Sequence, residues 1–402
     1  MKILFFSQYF WPENFRINEL VDYFKKKFQS TVLTSSPSYP TKKMYKNFKK
    51  KYDLNYKYLE IIRFPVYPRN FTNTSIKLNY LSFIIVSFFY SFFLLIKKKF
   101  DVIFIFCPSP IFSSIPIILL NKIFKKKIVI WILDLWPETV IDLKIVKNKF
   151  LIYVLKKISL YIYNNADLIL AQSKSINLAI RKITKTRCIY FPSWPEEKIG
   201  KSKKKTNKIK KNKHTKIIFA GNIGESQSFI TLVNAAKLLK KEKLQWIVIG
   251  EGRWKKKLKE LIFKNNLEKN ILLYKNIPIN KIRLYLNHAD ALYLSLKNNK
   301  TFSKTIPGKL QTYMSLKKPI IASISGETSS IITTSKSGLV SKAGDHRALA
   351  NNVMKFLTFS KSHKSKLGKN SFEYVKRNFS KKSILKNLNQ EILNFSKKKL
   401  HN

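Results

Sequence analysis

The stretch Ile217-Ile218-Phe219-Ala220-Gly221-Asn222-Ile223-Gly224 sets an unbroken apolar run against a turn bounded by two glycines, and a helical period begins at Phe229. An apolar run that does not alternate predicts a strand buried on both faces, the habit of a parallel sheet covered by helices. Glycines at the carboxyl end of such a strand let backbone N–H groups approach an anion, and a helix start just beyond adds partial positive charge. The turn reads either as a phosphate cradle or as an ordinary tight connection. The same design returns at Ile249-Gly250-Glu251-Gly252, where a strand over 246–249 meets a glycine turn before a helix over 255–265.

Outward from this stretch the alternation continues in both directions. Downstream, strands are predicted at 271–274, 291–294 and 320–322, with helices near 281–287 and 309–315 between them. Upstream, residues 198–216 hold ten lysines and almost nothing apolar, the composition of a solvated linker. Before that linker, apolar runs at 3–6, 31–34, 61–64, 102–106, 128–133 and 168–171 predict a second parallel sheet, and Leu20, Val21 and Phe24 mark one face of a helix over 18–28. Two α/β halves joined by a polar linker predict two Rossmann-like domains facing a cleft, with ligands beyond the carboxyl ends of the strands.

The charge is extreme. Of 402 residues, 78 are Lys or Arg and 22 are Asp or Glu, a net charge of +56, yet only nine of the 78 are Arg. Phosphate and base recognition favours the planar Arg fork, so a Lys-dominated excess in a chain rich in Asn, Ile and Phe argues for AT-rich coding and against a nucleic-acid partner. An apolar content of 45% excludes a disordered polycation. Cys107 and Cys188 are too few for a disulfide framework and point to a reducing compartment. Met1-Lys2 leads into 3–6 without a small-residue cleavage site, so that run predicts a buried first strand. Residues 81–96 carry no charge, fall short of the ~20 that span a bilayer, and run into Lys97-Lys98-Lys99. They predict a buried or interface-lying helix, with lysines suited to anionic headgroups.

Three further segments carry candidate chemistry. In Thr305-Ile306-Pro307-Gly308-Lys309-Leu310, Pro307 and Gly308 suit a helix start at which a phosphate sits. Lys309 in the first turn conflicts with the helix dipole unless an anion is bound. In Trp131-Ile132-Leu133-Asp134-Leu135-Trp136-Pro137-Glu138, the carboxylates of Asp134 and Glu138 and the indole of Trp136 suit a sugar, or Asp134 simply caps a turn. Tyr9-Phe10-Trp11-Pro12-Glu13 also follows a strand and is expected to project to the same cleft. The five histidines (214, 288, 346, 363 and 401) show no metal-ligand spacing.

Taken in order, these motifs resemble a glycosyltransferase of the GT-B fold in the retaining family four, in the branch that builds bacterial O-antigen and capsule repeat units, including fucosamine transferases. The resemblance rests on the opening 1–13, Asp134-Leu-Trp-Pro-Glu138, Ala166-Asp167 before Ala171-Gln172-Ser173, Phe219-Ala-Gly-Asn-Ile-Gly224, Ile249-Gly-Glu-Gly252, Ile306-Pro-Gly-Lys309 and Lys318-Pro-Ile-Ile-Ala322, and so covers nearly the whole chain. It implies an acceptor-binding domain over 1–197, the linker 198–216, and a nucleotide-sugar domain over 217–371. It also implies a C-terminal helix over 372–402 that crosses back to the N-terminal domain. It implies a hexosyltransferase-type enzyme moving a sugar, a 6-deoxy or amino sugar among the candidates, from a UDP- or GDP-linked donor to a lipid-linked saccharide. Such an enzyme works peripherally on the inner face of the cell membrane, without a metal or other cofactor.

On that reading Gly221, Asn222, Gly224, Gly250, Gly252, Pro307 and Gly308 line the donor. Lys309 stabilises the leaving diphosphate, and Asp134 or Glu138 orients or deprotonates the acceptor hydroxyl. Trp11, Glu13 and Trp136 hold the acceptor. The chain departs from the family's pair of glutamates eight residues apart: Lys304 and Thr312 stand there, with Gln311 beside them as a candidate ribose contact and Lys304 as a candidate phosphate contact. Glu225 and Ser226 follow the glycine turn where many relatives carry Arg. These departures leave a second class of function open, a GT-B scaffold that has lost catalysis and serves as a partner subunit.

Overall fold

A computed structural model describes residues 1–48, 59–200, 202, 204–210 and 212–397. The chain forms two compact units. One comprises Met1–Pro192 with Lys382–Asn402, and the other Ser193–Lys381.

The N-terminal unit is built on β1 (Lys2–Ser7), β2 (Gln29–Ser35), β3 (Leu59–Phe64), β4 (Val102–Cys107), β5 (Lys127–Ile132), β6 (Leu168–Ala171) and β7 (Cys188–Tyr190). All pair in parallel in the order β3-β2-β1-β4-β5-β6-β7. The helices are α1 (Arg16–Phe24), α2 (Asn73–Lys97), α3 (Ile115–Phe124), α4 (Glu138–Asp142), α5 (Lys149–Asn164) and α6 (Lys174–Arg181). Every residue of β4 is buried, as a central strand covered on both faces requires. Each fully buried Ile, Leu or Phe contributes roughly 1.5–3 kcal/mol relative to exposure. One face packs Leu4, Phe6, Ile103, Ile105, Ile128 and Ile130 under the helices α2, α3, α5 and α6.

The C-terminal unit repeats the plan with β8 (Thr215–Ala220), β9 (Leu244–Ile249), β10 (Ile271–Tyr274), β11 (Ala291–Ser295), β12 (Ile320–Ser323) and β13 (Gly338–Ser341). The parallel order is β10-β9-β8-β11-β12-β13. Helices α7 (Phe229–Leu238), α8 (Lys255–Lys264), α9 (Ile279–Leu286), α10 (Lys309–Ser315), α11 (Glu327–Thr334), α12 (His346–Thr358) and α13 (Lys361–Asn378) complete it. Trp246 from β9 and Tyr293 from β11 meet edge to face at 5.3 Å across the core. In each sheet the strand order reverses beside the first strand, at β1/β4 and at β8/β11. The crevice beyond the strand ends at such a point is where open α/β sheets bind ligands.

Both sheets are therefore Rossmann-like, as expected. The sequence reading missed β7 and β13, which are short edge strands without a long apolar run. The division falls between 192 and 193 instead of at 197. Within the expected linker, Gly200, Ser202 and Lys204 are tied to α9: the Arg283 guanidinium donates to the Gly200 and Ser202 carbonyls (2.7 and 2.9 Å), and Asn287 Nδ2 donates to the Ser202 and Lys204 carbonyls (2.9 and 2.7 Å). Backbone carbonyls supply these contacts, which composition alone does not show. The single helix expected from 372 is two helices. Phe379 and Ser380 separate α13, which stays with the C-terminal unit, from α14 (Lys381–Lys397), which joins the N-terminal one. There Arg187 meets Glu391 in a bidentate pair at 2.6 and 2.9 Å, and Leu385, Leu388 and Ile392 are buried.

Candidate functional site

The donor-side residues converge at the β8/β11 crevice. Tyr313 from α10 ties down the end of β8: the Ala220 N–H donates to its hydroxyl at 2.8 Å, and the hydroxyl donates to the Ala220 carbonyl at 3.2 Å. Beyond the strand ends the two glycine turns continue the ladder, Gly221 N–H donating to Ile249 O (2.9 Å) and Ile223 N–H to Glu251 O (2.8 Å). Two of the backbone donors expected to face an anion are thus spent on the neighbouring loop. The glycines serve close approach first. A Cβ on Gly250, at φ +155°, would lie 1.9 Å from the Gly221 carbonyl oxygen, and one on Gly252 2.3 Å from that of Ile223. Gly224 packs over the Asn222 side chain.

Gly221 has a second neighbour. At φ +144°, a Cβ on it would lie 2.5 Å from Lys309 Cε, so the lysine stem crosses the turn only because residue 221 has no side chain. Lys309 Nζ sits 4.0 Å from the centre of the Phe219 ring and donates to Gln227 Oε1 at 2.5 Å. Among the described residues it has no carboxylate partner. Burial pushes its ammonium down to about 7. A cation held away from water with no counter-ion is a costly arrangement that an incoming anion relieves.

Gln227 is the residue that sequence reasoning missed. It lies in a short 3-10 turn, Glu225–Gln227, that separates the glycine turn from α7, so the helix start does not follow the glycines directly. The Ser295 hydroxyl at the end of β11 holds the Gln227 carbonyl, and Lys297 pairs with Glu225 at 2.5 Å. Only the register of β11 against β8 brings 295–297 to this turn, and no local signal announces it. Of the remaining donor-side candidates, Pro307 is half-buried, and Gly308 is exposed with nothing within 4 Å of a Cβ built on it. Lys304 ends the turn Phe302–Lys304, half-buried. Thr312 and Gln311 do not present to a ligand. The Thr312 hydroxyl accepts the Glu196 N–H at 3.1 Å, and the Gln311 amide is fully enclosed with neither polar atom partnered. Both sit on the inward side of α10, where the helix packs.

In the N-terminal unit Asp134 follows β5, half-buried, and its side chain makes no hydrogen bond or ion pair among the described residues. Burial raises its carboxyl to about 7. Glu138 opens α4 with one oxygen, Oε2, buried and unpartnered. Trp136 is a core residue and not a sugar platform. Its ring packs edge to face on Phe112 at 5.2 Å, and its N–H donates to the Ser109 hydroxyl at 3.2 Å. Glu13 is likewise structural: it is fully buried and accepts the N–H groups of Phe10 (3.2 Å), Ser38 (2.8 Å) and Tyr39 (2.6 Å). Burial raises Glu13 to about 7 against the pull of those donors and of Arg63. Trp11 alone of the three stays half-exposed, edge-on to Phe48 at 5.9 Å. Phe48 lines a surface cavity of about 590 Å³ with Tyr45, Lys42, Lys46, Arg69 and Phe71, a basic and aromatic wall.

Two outcomes follow. Glu13→Ala strands three buried N–H groups and lowers stability by about 2–4 kcal/mol, read as a shifted denaturant midpoint of the intact chain. Asp134 has a folded pKa above its ordinary 3.8, so the folded state binds more protons than the unfolded between about 4 and 7, and stability falls as pH rises through that window. Asp134→Asn removes the effect: the variant melts above the parent at pH 8 and level with it at pH 4.

The two parallel sheets are Rossmann-like, and the chain is similar in fold to solved glycosyltransferases of the GT-B type. Residues 200–374, most of the C-terminal unit, match the model of the family described as Glycosyl transferases group 1. The chain is 23% identical over 203 residues to the probable glycosyltransferase WbjE of Pseudomonas aeruginosa, 48% of this chain and 50% of that one. It spans about half or less of the length of the curated relatives it matches. Among solved structures it is similar to a sucrose-phosphate synthase from Thermosynechococcus elongatus (TM-score 0.75, 14% identity, 98% of both chains). It is also similar to Anabaena Alr3699/HepE in complex with UDP (TM-score 0.69, 13% identity, 98% of this chain and 100% of that one).

Proposed function

We propose that the chain transfers a sugar from a UDP- or GDP-linked donor to a lipid-linked saccharide, with retention, in the building of a surface polysaccharide. The observation that carries the reading is Lys309: a half-buried ammonium without a counter-ion among the described residues, crossing a glycine turn at the topological switch point of the unit that matches the group 1 glycosyltransferase model. A diphosphate placed there supplies the missing anion, and as the glycosidic bond breaks the growing negative charge on the leaving group falls beside the cation. Protein cations take the role a divalent ion plays elsewhere, and Lys304 is the second candidate. The solved relative that binds UDP supports a nucleotide donor.

Asp134, with its carboxyl near neutrality, is suited to accept the acceptor's proton, and Glu138 to orient the hydroxyl. Front-face attack through an oxocarbenium-like transition state needs no enzyme nucleophile. The cavity beside Trp11, with Lys42, Lys46 and Arg69, suits an acceptor that carries a phosphate. The enzyme then works from the cytoplasm, at the membrane surface.

Transfer of radiolabelled sugar from UDP- and GDP-sugars to membrane lipid extract tests the proposal, and failure with every donor sinks it. Asp134→Asn is expected to lower transfer by ~100-fold while nucleotide affinity stays within about twofold. A drop in affinity instead removes Asp134 from the acceptor side. The scaffold reading, favoured by Thr312 and Lys304 in place of acids, predicts no binding of either nucleotide at millimolar concentration.

A further inference from the structure

The 25 residues of α2 are arranged inside out. The side against the sheet carries Ser75, Asn79, Phe83, Ser87, Ser91, Leu94 and Leu95, and the Ser91 hydroxyl is buried without a partner among the described residues. The outward side carries Leu78, Leu81, Ile85, Phe89, Phe93 and Ile96, a large apolar residue at every third or fourth position. In water the hydrophobic effect orders the two faces the other way, with serines out and phenylalanines in. Phe93 is 58% exposed and Ile96 59%.

The apolar surface continues beyond α2. Helix α3 packs beside it and turns Leu119 and Ile123 outward, Ile123 at 69% exposure. Helix α5 meets α3 through Lys122, whose ammonium lies 5.1 Å from the Tyr161 ring, and exposes Phe150, Leu151 and Tyr153. All three helices cover the same face of the seven-stranded sheet. Large exposed apolar side chains gathered on three helices over one face of a sheet mark an interaction site.

Charge selects the occupant. The sequences of α2, α3 and α5 contain no Asp or Glu, while Lys97, Lys99, Lys122, Lys125 and Lys126 stand at their ends. A lysine margin around an apolar face fits an anionic bilayer. A second copy of the chain would set the same positive margin against itself.

Helix α2 is long and apolar enough to cross a membrane, about 37 Å at 1.5 Å per residue. Its attachments oppose a crossing. Phe83 packs on Phe6 and Phe64 at 5.6 and 5.3 Å, and Asn79 donates to the Tyr67 carbonyl at 2.7 Å and accepts from Gln8 at 3.1 Å. The helix connects two parallel strands of one sheet, and lifting it out would strip the β3–β1–β4 core.

We propose that the outward faces of α2, α3 and α5 form one docking surface by which the N-terminal unit rests on an anionic bilayer, with α2 lying in the membrane plane. The proposal extends the lipid-linked acceptor reading, while its evidence is independent of the donor chemistry. Co-sedimentation with vesicles of phosphatidylcholine, with and without phosphatidylglycerol, is the test. The parent chain is expected to bind the phosphatidylglycerol vesicles, more weakly in high salt, and to bind phosphatidylcholine alone less well.

The triple variant Ile85→Ser, Phe89→Ser, Phe93→Ser is expected to lose at least ~10-fold in vesicle affinity. Because these side chains already face outward, its thermal melt and nucleotide affinity stay near those of the parent. Lys97→Gln with Lys99→Gln and Lys126→Gln weakens only the phosphatidylglycerol-dependent part. Equal vesicle binding by parent and triple-serine chains overturns the proposal, as does failure of the parent to bind anionic vesicles or a stable dimer that hides the face in solution. Vesicle binding without sugar transfer counts against the transferase reading alone.

Discussion

On the proposed transfer, Lys309→Ala is expected to lower sugar turnover by at least ~100-fold, the scale of losing one donor to a developing anion. The stem of Lys309 is threaded over Gly221, and its ammonium is held by Gln227 and the Phe219 ring, so the charge is placed before any anion binds. Unchanged turnover removes Lys309 from the mechanism. A second measurement isolates the ammonium. In the free chain it ionises near pH 7, so at pH 8 most of it is neutral. A diphosphate beside it favours the charged form, and nucleotide binding is therefore expected to take up protons at pH 8 and few at pH 6. Calorimetry in buffers of different ionisation enthalpy reads that uptake, and Lys309→Met abolishes it. The same lowered pKa sets the sign for stability. The cost of burying the ammonium is full below pH 7 and fades as pH rises toward 10.5, so Lys309→Met melts above the parent by more at pH 6 than at pH 9.

Gly250→Ala is expected to cost about 3–5 kcal/mol and to abolish nucleotide binding. The new methyl group would lie 1.9 Å from the Gly221 carbonyl, and the backbone at φ +155° disfavours any side chain. The two turns hydrogen-bond to each other, so one displaced turn moves the other, and with it the seat of Lys309. Gly308→Ala is the control. Its φ is −58° and nothing lies within 4 Å of the added carbon, so stability changes by less than about 1 kcal/mol. Equal costs at the two positions would mean that the loop–loop ladder is not what the glycine at 250 preserves.

The legible part of the site was the part written in local chemistry. Gly221, Gly250 and Lys309 stand out because glycine at a strand end and a cation at a helix start each break a local expectation, and the fold brings all three together. Gln227 was illegible, since nothing within ten residues of it distinguishes it from other polar turn residues, and its role comes from β11 and α10 arriving from far along the chain. Trp136 and Glu13 failed as acceptor contacts for the opposite reason. An indole and a carboxylate at a strand end look the same in sequence whether they face solvent or the interior. Here Ser109 and Phe112 enclose the indole, and three backbone N–H groups claim the carboxylate. Thr312 and Gln311 were placed by counting from a neighbouring motif, and a count along a helix does not say which side packs.

The sequence by itself determined the two parallel sheets, because an unbroken apolar run buried on both faces has few other solutions. It also determined the glycine turns between strand and helix, and the segment over 81–96 as an apolar helix at a lysine margin. Tertiary structure alone decided that the helix turns Ser87 and Ser91 inward and Phe89 and Phe93 outward, since period and composition are the same whichever side meets the sheet. It decided that the C-terminal helix breaks at Phe379 and Ser380 and joins the N-terminal unit, and that Gly200 and Ser202 are tied to α9 by their carbonyls. These facts share one physical cause. They depend on which surface a segment is packed against, a property of neighbours distant in the chain that the segment's own residues do not carry.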